Sequence, residues 1–358
     1  MKITSIQPIP LVIPFTYGLT AGPDAGRGNV KQLDFCLVKV ETDEGIVGWG
    51  DAFAYNCRSA VAAAVQDMIA PLAVGRDPTD VEGLNALIQK KLHIFGRFGV
   101  TAFALSGLDI ALWDIRGKAA GVPLHKLLGD VRSDSVACYA SLLRYADDAL
   151  VARHCDRALR EGHDAIKLHE ITEEAVAAAR TAIGPGVPLM LDVNCEWSRD
   201  AAITMACRLR PHGLLWLEEP VFPPEDFHGM RAVGDAGGIA IACGENLCFA
   251  SQFEALRESG AVSFAQPSVT KLGGITEFLK VVSSGARIAP HSPYFGPGAL
   301  ATIHLLAAQL PDARFEYYYL RPVAELYPGV FGKARVRVPD APGVGPEPDP
   351  EVIRRYRA

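Results

Sequence analysis

Near the N-terminus apolar and polar positions alternate with a period of two, in "ITSIQPIPLVIPF" and again in "FCLVKVETDEGIVGWGDA". Such alternation predicts half-buried strands, and the polar Asp43-Glu44-Gly45 between two apolar runs predicts a hairpin turn. The period then changes. In "SAVAAAVQDMIAPLA" and, over a longer stretch, "TAFALSGLDIALWDIRGKAAG", apolar residues recur at helical spacing, with Gly121 and Pro123 as the stop. Residues 1–130 are therefore predicted to form an α+β unit.

From Ser135 onward short apolar runs alternate with helical stretches at a spacing of roughly 25 residues, the length of one βα unit. Strands are predicted at "VACYAS", "AIKLHE", "PLMLDVN", "LLWLEEP", "IAIACGEN", "SFAQPS", "RIAPHS" and "RFEYYY". Eight runs suit a closed barrel over residues 131–320, and the Pro- and Gly-rich 321–358 reads as a segment returning to the first domain. The fold class is thus α/β, a (β/α)7-8 TIM-like barrel with an N-terminal α+β capping domain. An open doubly wound sheet competes, but no GxGxxG follows a first strand.

A chain of 358 residues, 49% hydrophobic and 21% charged, can bury a sizeable core. Its net charge of −6 supplies no basic excess to neutralise phosphates, which argues against nucleic acid and acidic membranes as partners. A small molecule is the expected partner. The eight cysteines are scattered and form no CxxC pair, the start "MKITSIQPIP" lacks the apolar core of a secretory signal, and no apolar run reaches the roughly 20 residues of a membrane span. A reduced, cytoplasmic setting is expected.

Chemistry concentrates at the predicted strand ends. Asp192 in "LMLDVN", Glu218 in "LWLEEP" and Glu245 in "ACGEN" end three consecutive strands, at the face where such barrels assemble their sites. Any one of them reads equally well as a capping or salt-bridged acid. Three in register describe an all-oxygen set that suits Mg²⁺ better than zinc. Lys167 and His169 share one face of the preceding strand, because residues i and i+2 point the same way. His291 lies on the seventh run and Lys271 beyond the sixth; alone, the one reads as a core histidine and the other as an anchor for a metal ligand. Basic groups flanking an acid cluster suit proton abstraction next to a carboxylate bound to a cation.

These residues carry a resemblance. The chain is similar, over nearly its full length, to the mandelate racemase branch of the enolase superfamily: "LSGLDIALWDIRGKAAGVPLHKLLG", "DVN", "EEP", "GEN", "KLGG" and "LPDARFEYYYL" occur in the family's order and spacing. The resemblance implies one Mg²⁺ per subunit held by Asp192, Glu218 and Glu245, Asn194 beside the substrate, and a homo-oligomer. It puts Lys167 and His169 on the KxK motif, whose second lysine is the usual base, His291 on the seventh-strand histidine, and Glu316 on the glutamate that hydrogen-bonds the substrate carboxylate. Two departures stand out: the second lysine is His169, and the histidine's aspartate partner is Ser268. Without that anion His291 is expected to be the weaker base and to serve as an acid.

Racemisation needs a base on each face of a planar enediolate, whereas β-elimination needs one base and one acid. With His169 as base and His291 or Lys167 as acid, dehydration of a 2,3-dihydroxy acid such as a sugar acid to a 2-keto-3-deoxy acid is expected. A racemase or epimerase is the alternative, and a non-catalytic binding protein on the same fold a third. Specificity is expected from "TYGLTAGPDAGRGN" as a lid, with Arg27 meeting a polar or anionic group, and from "DAFAYN", residues 51–56, as a second capping element. Tyr294, Phe295, Tyr317 and Tyr318 are expected either to line an apolar pocket suited to a cyclic acid or to be packing; Ser268, Lys271 and Tyr294 are the remaining candidate substrate contacts.

Overall fold

The computed structural model describes residues 1–16, 32–129 and 133–358. Arg27 and all but the first residue of the expected lid lie outside them.

The alternating N-terminal runs form β1 (Ile3–Thr16), β2 (Gln32–Thr42) and β3 (Val47–Ala52), an antiparallel sheet in which Pro14 pairs with Gln32 and Cys36 with Ala52. The expected turn is present, with Gly45 at a φ of 78° that favours glycine. The helix Val100–Ala120 lies against this sheet at very short range. A Cβ at Gly50 would stand 1.8 Å from the carbonyl oxygen of Gly107, so glycine on both sides sets the approach.

The second block gives β4 (Ser135–Ser141), β5 (Ile166–Leu168), β6 (Leu189–Asp192), β7 (Trp216–Glu218), β8 (Ile241–Cys243), β9 (Phe264–Ala265) and β10 (Phe315–Tyr318). They pair in parallel in the order β10-β4-β5-β6-β7-β8-β9. The seventh predicted strand is the exception. "RIAPHS" contributes only the bridge of Ile288 to Ala265, because Pro290 and Pro293 lack the N–H a ladder needs. Between this segment and β10, side chains substitute for the ladder: Ser292 N donates to Glu316 Oε2 (3.0 Å), and Glu316 N donates to Ser292 Oγ (3.1 Å).

Period-two alternation divides the barrel interior into layers. Tyr139, Ala165, Met190, Trp216, Ala242, Phe264 and Ala289 form a separate apolar cluster. Two residues further along their strands stand Ser141, Lys167, Asp192 and Glu218, all buried. A polar layer thus rests on an apolar plug, facing the C-terminal mouth. The C-terminal segment touches both units: β11 (Arg321–Pro322) pairs with Phe15 and Thr16, Ala358 N donates to Pro10 O (3.0 Å), and β12 (Arg335–Arg337) runs antiparallel beside β4. No helix among the described residues is long and apolar enough to cross a membrane.

Candidate active site

Sharp turns after the strands aim the site. Asn194 and Cys195 follow β6 and Glu219 follows β7, at φ of 46°, 58° and 42°, left-handed values that non-glycine residues adopt only when their surroundings compel them. Asn194 N donates to Asp192 Oδ1 (2.8 Å), which closes the first turn around the carboxylate. After β8 the turn needs Gly244, whose φ is 134° and whose Cβ would lie 2.8 Å from the Phe253 ring.

The carboxylates meet an ammonium group. Lys167 Nζ lies 2.7 Å from Glu316 Oε1, 2.9 Å from Glu218 Oε1 and 3.3 Å from Asp192 Oδ2, with no exposure of the lysine. Burial opposes its charge, but Glu218 and Glu316 outweigh that and raise its pKa well above the ordinary value. Burial would likewise raise Asp192 and Glu316; instead Lys167 chiefly pulls both below the usual carboxylate range. Glu218 goes the other way, raised by burial and by the neighbouring Asp192 charge. Glu245, partly exposed to the cavity, is held low against its desolvation by Lys271 and by His291, whose Nε2 is within hydrogen-bond distance of Oε2.

Above this layer lies a cavity of about 540 Å³. His169, Asp192, Asn194, Glu245, Lys271, His291 and Tyr294 line it from the barrel, while Phe35, Phe53, Tyr55 and Phe103 line it from the cap. The 51–56 segment thus reaches the cavity as expected of a capping element. His169 is anchored by its backbone partner: Nδ1 donates to the Leu142 carbonyl, which can only accept, and this turns Nε2 towards the site, 3.3 Å from Asp192 Oδ2. Lys271 Nζ donates to Asn246 Oδ1 (3.2 Å) and sits 4.7 Å from the centre of the Phe53 ring.

Several residues depart from their expected places. Lys167 and Glu316 lie beneath the residues that line the cavity: Glu316 accepts from Ser141 Oγ (2.8 Å) and Ser292 N and pairs with Lys167. Ser268 is fully buried and meets Tyr294, so neither hydroxyl is offered to a ligand, although the Tyr294 ring does face the cavity. Of the remaining aromatic residues, Phe295 and Tyr318 line the cavity, whereas Tyr317 stacks on His163 and donates to the Leu320 carbonyl (3.0 Å). Phe35 and Phe103 of the cap, Glu219 and Asn246 went unnoticed in the sequence. The doublet "EEP" was the available signal for Glu219, which accepts from Asn246 Nδ2 (2.8 Å).

Among the described residues no three His, Cys, Asp or Glu side chains are already drawn into a ligating cluster; Lys167 spans Asp192 and Glu218, and His291 caps Glu245. The donor chemistry nevertheless fits a hard divalent cation. Asp192 and Glu218 pair in register on adjacent strands, Glu245 follows the next, and among the described residues the carboxylates of Asp192, Glu218, Glu219, Glu245 and Glu316 have Lys167 and Lys271 as their lysine partners.

A parallel barrel with a carboxylate-rich mouth beneath an α+β cap defines an enzyme of the enolase superfamily. The chain belongs to its mandelate racemase / muconate lactonizing enzyme family: residues 22–129 match that family's N-terminal domain and residues 150–352 the enolase C-terminal domain-like model. It is 32% identical over 351 residues to a D-galactarolactone cycloisomerase from Agrobacterium fabrum, covering 90% of each chain. A D-galactonate dehydratase from Variovorax paradoxus is 32% identical, with 88% of this chain and 89% of that one covered. In three dimensions an enolase superfamily member from Polaromonas sp. JS666 superposes with a TM-score of 0.87 at 33% identity, covering 100% of this chain and 98% of that one. Members of the family generally use Mg²⁺.

Proposed function

We propose that the protein removes the α-proton of a sugar-acid carboxylate and breaks the neighbouring β-C–O bond. The observation that carries this reading is the fixed orientation of His169, whose Nε2 faces a cavity shared with His291, Asp192 and Glu245. His169 takes the α-proton, and the resulting imidazolium is stabilised by Asp192. The C–H electron pair moves into the enediolate, then into the new C=C bond as the β-oxygen departs, and His291 supplies the proton that oxygen needs. Asp192, Glu218 and Glu245 would hold Mg²⁺, which when bound supplies Lewis-acid stabilisation of charge on the substrate carboxylate. Asn194 and Lys271 line the same wall and would orient the carboxylate.

The leaving oxygen decides the outcome. A free hydroxyl departs as water, which is dehydration to a 2-keto-3-deoxy acid. An oxygen that belongs to a ring stays attached, and the same step becomes a cycloisomerisation. The aromatic wall of Phe35, Phe53, Tyr55 and Phe103 favours this second reading, since the C–H face of a closed ring suits such surfaces better than an extended chain of hydroxyls does. The relatives span both outcomes, as dehydratases and as cycloisomerases.

Proton NMR and mass spectrometry in D₂O with Mg²⁺, against open-chain aldonic acids, aldaric acids, their lactones and anhydro sugar acids, would test the proposal. Loss of water from one acid is the result expected of a dehydratase, and unchanged composition apart from deuterium identifies ring opening. Recovery of α-deuterated or epimerised substrate without C–O cleavage would overturn elimination in favour of racemisation. Activity is expected to vanish in EDTA and return with Mg²⁺; activity persisting in EDTA would refute the metal assignment. The eight unpaired cysteines support a cytoplasmic setting. Exposed Ile94, Phe95 and Phe98, clustered in one turn of the cap, support association into a homo-oligomer, which light scattering would measure.

A further inference from the structure

The barrel helix Pro297–Gln309 begins without a capping side chain of its own. Its N-cap residue is Gly296, which has no side chain, and its first residue is Pro297, which has no N–H, so the N–H of Gly298 is the first donor left for a capping group. That group comes from the other domain. Asp51, buried near the end of β3 in the cap, accepts from Gly298 N. Two glycines make the room: a Cβ at Gly296 would stand 2.3 Å from Asp51 Oδ2, and one at Gly298 would stand 3.3 Å from the same oxygen. Gly296 has a φ of −102° and a ψ of −167°, extended backbone open to any residue, so the carboxylate rather than the backbone demands glycine there. Two residues beyond Asp51, Phe53 N donates to Thr270 O (3.2 Å) and ties the same stretch of the cap to the barrel a second time.

Directly before this helix runs the segment that fails to become a seventh strand. At its start His291 N donates to Pro267 O (3.2 Å) and Ser292 bonds with Glu316; at its finish stands the capped end of the helix. Between these anchors Tyr294 and Phe295 line the cavity together with His291, and the Tyr294 hydroxyl lies 3.1 Å from His291 Nδ1, so the two side chains are set jointly. We infer that Asp51 is a positioning residue: as the N-cap that the cap domain supplies to a barrel helix, it fixes the far end of the His291–Phe295 segment and so sets that wall of the cavity. The contact makes one side of the site depend on the seating of the cap. A barrel whose cap is displaced keeps the strand-end acids, which belong to β6, β7 and the turn after β8, and loses the set of the His291 wall. The consequence for catalysis rests on the role of His291 in the proposed reaction, so one arm of the test needs no substrate.

That arm is hydrogen–deuterium exchange of the full chain, read by mass spectrometry over residues 291–300. Loss of a helix N-cap corresponds to about a 5- to 30-fold rise in local opening, and Asp51→Ala is expected to speed exchange in this segment by that factor while β5 to β8 exchange as in the wild type. Asp51→Asn keeps an acceptor oxygen and should leave the segment protected. A segment no faster in Asp51→Ala, or one that loosens only in step with the whole chain, would overturn the inference whatever the enzyme's substrate. Gly296→Ala is an independent handle, because its methyl group needs the place of Asp51 Oδ2. It should open the same segment on its own and add little in the Asp51→Ala background, whereas fully additive effects would count against the capping contact. The second arm uses whichever acid the D₂O panel shows to be consumed. Asp51→Ala is expected to lower elimination about 5- to 30-fold while α-proton exchange through His169, on the opposite side of the acid cluster, continues; Asp51→Asn should recover most of the loss. Equal loss of both rates, or no recovery in Asp51→Asn, would reduce Asp51 to a general prop of the fold and sink the idea.

Discussion

Lys167 shows what a single residue decides in this barrel. Period-two geometry correctly aims Lys167 and His169 to one side, yet the structure separates their tasks: Lys167 is sunk among Asp192, Glu218 and Glu316, while His169, beyond the end of β5, reaches the cavity. A buried ammonium group with three carboxylate partners is costly to remove because its partners remain. Lys167→Met should therefore cost about 3–5 kcal/mol in urea denaturation without divalent ions, well above the loss for a surface lysine; a change below about 1 kcal/mol, the range of exposed pairs, would show that the charges are not so confined. At this scale the sequence exposed the strand-end acids because the βα repeat places them there. It could not expose the link of Ser268 to Tyr294 to His291, which joins positions 26 residues apart through two segments whose side-chain directions only the fold sets.

Individual elements were legible where one face alone is buried and obscure where backbone contacts decide. The antiparallel hairpin and the long helix at Val100–Ala120 follow from periodicity, whereas "RIAPHS" has the composition of a strand and fails to become one because Pro290 within it and Pro293 just after it interrupt the ladder. The cavity-lining role of Phe35 and Phe103 was hidden too, since it depends on the cap sitting over the barrel mouth rather than on any local pattern. Close approach between Gly50 and Gly107 controls that cap. Gly50→Ala would put a methyl carbon 1.8 Å from a backbone oxygen that cannot rotate away, so helix and sheet must part. The expected loss is about 1–3 kcal/mol or more, seen as a lower thermal midpoint. An unchanged midpoint would mean that the helix slides freely on the sheet.

Across the whole molecule, cap and barrel are tied by a buried polar junction. Asp109, on the long cap helix, accepts from Asn85 Nδ2 (2.7 Å) and from Thr276 N (3.0 Å) on the barrel, and Trp113 Nε1 donates to Thr276 Oγ1 (3.0 Å). Burial pushes the Asp109 carboxyl up to about 7, against the opposing pull of those hydrogen bonds, from an ordinary value of 3.8. The sign of the consequence follows from proton counts. Between these two values the folded chain holds a proton that the unfolded chain has released, so stability falls as pH rises and levels off above 7. The slope from this one group is at most about 1.4 kcal/mol per pH unit. Asp51, buried and likewise raised to about 7, adds to the fall in the wild type. Asparagine at position 109 mimics the protonated acid and cannot ionise. From pH 5 to pH 8 the lead of Asp109→Asn over the wild type in urea midpoint should therefore widen until about pH 7 and hold constant above it. Parallel curves would show that the junction admits enough water to keep the carboxylate charged, and the two domains would then be held together by packing rather than by this polar lock.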